Sequence, residues 1–234
     1  AMEQAAARDI LLSFHEEEPS LVPSPGVNYG SAAAKQFGVP GAMAAAETAM
    51  IARDIALALD TGARVVFQHV SCGQSVALIR VGKALGARVY AEVTPHHLSL
   101  TEDDVPAHGT YARMNPPLRC EADRQALIEG LRAGTIDMIA TDHAPHTEEE
   151  KAREFAKAPS GITGLETAFS VCNTYLVKTG RLTPMQLIDK MSKSPAEIYG
   201  LTGRAVAEGN LARLVLLDWD SETVYKAYHS KAVN

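Results

Sequence analysis

Ile136 to His146 reads I-D-M-I-A-T-D-H-A-P-H, and this stretch decides the fold. Its first half is apolar and strand-like, Thr141 and Asp142 end the apolar run, and a turn built on Pro145 carries His143 and His146. In a parallel α/β fold the C-terminal end of a strand opens into a shared crevice. A carboxylate and imidazoles placed there face a ligand or a metal rather than the packed interior.

Working outward, the same arrangement recurs upstream. Ile10 to Phe14, Arg64 to Val70 and Arg88 to Val93 read as strands, and together with Ile136 to Thr141 each ends in a His or an Asp: His15, His69, His96 with His97, and Asp142. Helical stretches lie between them. Ala42 to Leu59 has an apolar face at Ala45, Thr48, Ile51 and Ile55 and stops at Gly62, Ser75 to Leu85 stops at Gly86, and Asp123 to Arg132 stops at Gly134. Strands alternating with amphipathic helices predict right-handed βαβ units and a parallel sheet, open or closed into a barrel.

The last third changes character. Thr147 to Ala158 is a charged segment, helices are expected over Leu165 to Val177, Thr183 to Lys190 and Pro195 to Tyr199, and Leu214 to Leu217 with Thr223 to Tyr228 reads as a hairpin. This divides the chain into residues 1–205, which carry the βα rhythm, and 206–234, part of a small β domain.

Composition narrows the function. With 22 Lys and Arg against 28 Asp and Glu the net charge is -6, so there is no basic surplus to attract nucleic acid or an anionic membrane. No apolar run reaches the roughly 18 residues that a membrane span needs. Cys72, Cys120 and Cys172 are odd in number and widely spaced, without C-x-x-C, which suits reduced thiols in a cytoplasmic protein and argues against a thiolate zinc site.

Neutral imidazole is the commonest metal ligand, and Asp adds an oxygen ligand able to accept a proton. His15, His69 and Asp142 therefore form a candidate set, because consecutive parallel strands bring their ends into one crevice. A single strand-end His is equally well explained as the cap of a turn, so the joint pattern carries the reading. Asp142 lies between an apolar strand and a Pro-containing turn, where a charge needs a partner, and a metal is the most economical one. Glu16 to Glu18 also read as a solvated acidic run, Glu148 to Glu150 with Lys151 as the exposed first turn of a helix, and His108 and His229 as solvated loop residues. His96 and His97 fit either packing beneath a loop or an outer hydrogen-bond donor.

Thr141 to His146 as T-D-H-A-P-H, Asn115 to Arg119 as N-P-P-L-R, Gly161 to Thr167 as G-I-T-G-L-E-T, Q-H-V-S from Gln68 and T-P-H-H from Thr94 resemble, in this order, the bacterial dihydroorotases of the amidohydrolase superfamily. The hydantoinases and allantoinases share the barrel and the metal-binding His pattern but usually differ at N-P-P-L-R and D-H-A-P-H. The resemblance implies a distorted TIM barrel with a small β-sandwich, the four strands here being the fifth to eighth of the barrel. It implies two zinc ions, with His15 and His69 as ligands after the fifth and sixth strands. Asp142, after the eighth, would bind the other metal and act as catalytic base and acid. Asn115 and His146 match substrate contacts, and Ser160 with Gly161 matches a backbone contact to the substrate ring, although many relatives carry Phe where Ser160 stands. The implied reaction is the reversible closure of N-carbamoyl-L-aspartate to dihydroorotate.

The family's first strand carries His-x-His and an Arg for the substrate carboxylate, and a later strand carries a residue that bridges the metals; no His-x-His occurs in these 234 residues. The chain is therefore expected to be the C-terminal part of a longer enzyme and inactive by itself, the alternative being a non-catalytic module that serves as a partner or scaffold. Half a barrel leaves unpaired strand edges, which predicts self-association into a homo-oligomer unless the other half covers them.

Overall fold

The computed structural model describes residues 1–201 and 206–222. Leu11–Phe14 (β1), Arg64–Phe67 (β2), Val89–Val93 (β3) and Met138–Ile139 (β4) form a four-stranded sheet in sequence order, with every pair parallel. Each crossover contains a helix, as parallel pairing requires. The principal ones are Ala44–Thr61, Gly73–Ala84 and Glu121–Arg132.

Register aligns the strand ends. Phe14 pairs with Phe67, Phe67 with Ala91, and Val93 with Ile139. The ladder then runs past the strands, the Gln68, Val70 and Ala140 amides donating to the carbonyls of Phe14, Glu92 and Val93 at 2.9, 2.9 and 3.1 Å. His15, His69, Thr94 and Asp142 thus emerge along one edge. β4 is shorter than the sequence suggests, because the Asp137 side chain turns to accept from the Ala91 amide at 2.8 Å and to pair with Lys83 at 2.7 Å.

Side-chain alternation gives the sheet two covered faces. On one, Val65, Phe67, Val89, Ala91 and Val93 pack against Ile51, Ile55, Ile79, Leu127 and Leu131 of the helices. On the other, Val66 and Met138 meet Ile198, with Leu11 and Tyr90 beside them. The helices lie close enough to need glycines: a Cβ on Gly82 would stand 2.8 Å from Ile55, and one on Gly130 2.8 Å from Val76.

The buried face of Ala44–Thr61 differs from the one expected. Ala46, Glu47, Ile51, Asp54, Ile55 and Ala58 are buried while Ala45 is exposed. Two carboxylates can lie on that face because both are satisfied. Glu47 accepts from the Ser71 amide at 3.1 Å and from the Ser71 and Ser75 hydroxyls, and Asp54 accepts from Arg53 at 2.6 Å.

A second, smaller core lies in the loops that follow the strand ends. Val27, Ala33, Ala34, Val105, Ala112, Met114, Leu118 and Phe155 cluster there, and Phe37 stacks on Phe155 at 4.1 Å. This core supports the segments carrying Asn115 and Ser160.

The expected hairpin is not seen among the described residues. Leu214 to Leu217 carries no strand among the described residues and Leu214, Val215 and Leu216 are exposed there, while Thr223 to Tyr228, the expected partner, lies outside the described residues. Cys72, Cys120 and Cys172 are free thiols. No helix among the described residues is long and apolar enough to cross a membrane.

Candidate metal centre and substrate loop

The site is built on two strained strand ends. His69 and Asp142 adopt φ of +36° and +45°, the left-handed region that side chains other than glycine rarely occupy, at a cost of about 1–3 kcal/mol each. In both cases the chain turns sharply at the end of the ladder. Asp9, on the turn ahead of β1, shares this conformation with a φ of +50°, so the strain alone does not single out the site.

His15 and His69 converge. His15 Nδ1 lies 2.9 Å from His69 Nε2, with the rings edge to face at 4.7 Å. Glu17 Oε2 stands 3.4 Å from His15 Nε2 and also accepts from Asn115 Nδ2 at 2.7 Å, so one carboxylate orients both a candidate ligand and a candidate substrate contact. Burial of His69, and then the neighbouring His15, lowers its pKa and keeps the ring neutral, the form that binds a metal.

Asp142 stands one βα unit beyond β3, and its charge is felt at His69, His96 and Glu92. Burial, with the Asp142 charge adding to it, pushes the Glu92 carboxyl up to about 7. No group of three metal-ligating side chains gathers tightly among the described residues. The donor set nonetheless fits a cation. Two nitrogens on one tetrahedral zinc stand roughly 3.3 Å apart, so the His15–His69 pair needs to open by only a few tenths of an ångström. His69 Nδ1 and His96 Nε2 are buried without hydrogen-bond partners on the same edge.

The expected substrate residues form a second group. His146 Nε2 donates to the Ser160 carbonyl at 3.0 Å, and His146 Nδ1 lies 3.6 Å from Glu150. Gly161 has φ of +140°, and a Cβ there would meet Ala144 at 2.5 Å and His146 Nε2 at 3.0 Å, so only glycine lets the loop pass this close. The His143 to Ile162 bridge, with the Ala144 amide donating to the Ile162 carbonyl at 3.2 Å, sews the two motifs together.

Several residues that hold this group were not legible as such. Arg113 Nη1 donates to the Ala158 carbonyl at 2.6 Å and to Ser160 Oγ at 2.8 Å. Lys151, expected on the exposed turn of a charged segment, is only 1% exposed, and burial and then the nearby Arg113 push its pKa down to about 8. The one local signal is that Lys151 closes the helix Glu148–Lys151, which a capping box between Thr147 and Glu150 starts directly after His146.

His97 is resolved as a packing residue. Its Nε2 donates to the Pro116 carbonyl at 3.1 Å, which leaves Nδ1 to accept from the Thr94 hydroxyl at 2.9 Å. Burial holds its pKa at about 3. Below pH 6.5 the unfolded chain therefore binds a proton that the folded chain refuses, and stability falls with pH at roughly 1.4 kcal/mol per pH unit from this one group. Urea midpoints are expected to fall between pH 7 and pH 5 in the wild type, and to fall less in His97→Gln.

Residues 27–232 match the amidohydrolase family over most of the chain. The chain belongs to that family. As an amidohydrolase it is 53% identical over 234 residues to a dihydroorotase of Clostridioides difficile, and 48% identical over 236 residues to a dihydroorotase of Clostridium acetobutylicum. Both alignments take in 100% of this chain and 55% of the relative, so the chain spans about half the length of the curated relatives it matches. Among solved structures, the L-hydantoinase (dihydropyrimidinase) of Arthrobacter aurescens is similar with a TM-score of 0.75 at 28% identity, over 86% of this chain and 46% of that one.

Proposed function

We propose that this amidohydrolase chain is part of a zinc-dependent dihydroorotase, which interconverts N-carbamoyl-L-aspartate and dihydroorotate in the cytoplasm. The observation that carries the reading is the convergence of His15 Nδ1 and His69 Nε2 at the ends of adjacent parallel strands. Identity of 53% to a dihydroorotase over every residue supports it. In this reading β1 to β4 are the fifth to eighth strands of a TIM barrel and 206–234 belongs to a small β domain.

The residues then divide the work. His15 and His69 would hold one zinc, and Asp142 would serve the other. Bound zinc lowers the pKa of a water and polarises the ring carbonyl, which makes an otherwise inert amide open to attack. Asp142 would serve as the proton acceptor for the attacking water and as the donor to the departing ring nitrogen. Asn115 and His146 orient the substrate, and the Ser160–Gly161 backbone meets the polar edge of the ring. In the direction of cyclisation the same groups run in reverse, with loss of water.

The test is to express the whole protein, count zinc per chain, and follow hydrolysis of dihydroorotate and of hydantoin side by side. Zinc with dihydroorotate turnover supports the reading. A preference for hydantoin moves the assignment to the related cyclic amidohydrolases that the fold also resembles, and a metal-free protein with no turnover makes it a non-catalytic module. The 234 residues alone are expected to turn over neither compound.

A further inference from the structure

We infer that Lys151 is a positioning residue for substrate binding, its ammonium fixing the Ser160–Gly161 loop against His146. The inference rests on the dihydroorotase reading of that loop. Lys151 Nζ donates to the carbonyls of Thr110, Pro159 and Gly161 at 3.0, 3.1 and 2.7 Å. The carbonyls of residues 159 and 161 are therefore drawn to the cation, while the Ser160 carbonyl between them accepts from His146 Nε2 and the Gly161 amide donates to the Arg113 carbonyl at 2.8 Å. One ammonium thus pins the peptides on either side of the 160–161 peptide, whose own carbonyl and amide are left facing His146 and Arg113.

The other end of Lys151 is fixed as well. Its own carbonyl accepts from the Thr110 hydroxyl, and the helix that carries it starts at Thr147, next to His146. A short rigid path therefore joins both groups that would touch the substrate, His146 at one end and the Ser160–Gly161 backbone at the other. Ammonium has three donors and here three carbonyls meet them, so an uncharged side chain of the same length would remove the one charged donor that the carbonyls of 159 and 161 share in a buried setting. The loop would then be free to turn its peptide away from the ring.

Since the loop holds substrate without touching the reacting bond, its loss should weaken binding uniformly. In the whole protein, Lys151→Met is expected to raise KM for dihydroorotate by about tenfold or more, with kcat changed less than about threefold and zinc content unchanged. Hydrogen exchange supplies a readout that does not depend on the reaction. Gly161 and Ala144 amides should lose protection in Lys151→Met while those of Val70 and Ala140 in the sheet keep theirs. Unchanged KM with unchanged loop exchange overturns the inference, as does a parallel fall in kcat, zinc and sheet protection. Should Lys151→Met fail to fold, the wild type still decides: a Gly161 amide exchanging as fast as those of residues 211–218 overturns it, and a protected one supports it. If wild-type protein does not hydrolyse dihydroorotate, it is the proposed function that falls, and the exchange pattern then decides for or against loop positioning by Lys151.

Discussion

In the whole protein, Asp142→Asn is expected to lower dihydroorotate turnover by about 10²–10⁴-fold, the usual contribution of a positioned general base and acid. Asn keeps the size of the side chain and is the residue that best tolerates a positive φ, so the +45° backbone at this position should survive the change. The variant should therefore melt within about 0.5 kcal/mol of wild type while losing activity. The pair of results separates chemistry from folding. If Asp142→Asn keeps full turnover, the proton passes through another group, and the assignment of Asp142 is wrong. Asp142→Gly extends the test, because removing the side chain from a left-handed backbone position relieves roughly 1 kcal/mol of strain. Greater stability together with absent turnover is the signature of a residue kept for function at a cost to the fold.

His69→Ala should remove a metal rather than a proton path. The whole protein is expected to lose about half its zinc and more than about 100-fold of its turnover, since even the outer partners of metal ligands are typically worth 10–100-fold. His15 offers the control. His15 Nδ1 and His69 Nε2 face each other at 2.9 Å, so His15→Ala should produce the same zinc loss, and the double variant should be no worse than either alone. Additive losses would mean that the two rings serve different sites. Zinc content by elemental analysis reads this without reference to the substrate, and a His69→Ala protein with wild-type zinc would refute the His15–His69 ligand pair.

Much of the site was legible because strand periodicity and strand ends are local features. Apolar runs at Arg64 to Val70 and Arg88 to Val93, each closing on a His, and Ile136 to Thr141 closing on Asp142 are enough to put polar groups on one edge of a parallel sheet. What the sequence could not convey was which polar residues that edge recruits from elsewhere. Glu17 reads as one of three consecutive glutamates, yet it alone joins His15 to Asn115, a residue 98 positions away. Glu47 lies on a helix face that reads as apolar, and it is buried because Ser71 and Ser75 come from another crossover to satisfy it.

By itself the sequence determined the alternation of strands and helices, the parallel sheet, and the positions of His15, His69 and Asp142 at strand ends. These follow from side-chain period and from glycine stops, which act over a few residues. Only the tertiary structure decided that His15 and His69 come within 2.9 Å of each other, that His97 is a neutral packing residue, and that Lys151 is buried. The physical reason is the same for all of them. Whether a charged or titratable group is exposed, paired or desolvated depends on partners brought in by long-range packing. The carbonyls of Thr110, Pro159 and Gly161 around one ammonium come from two loops that nothing in the local pattern joins.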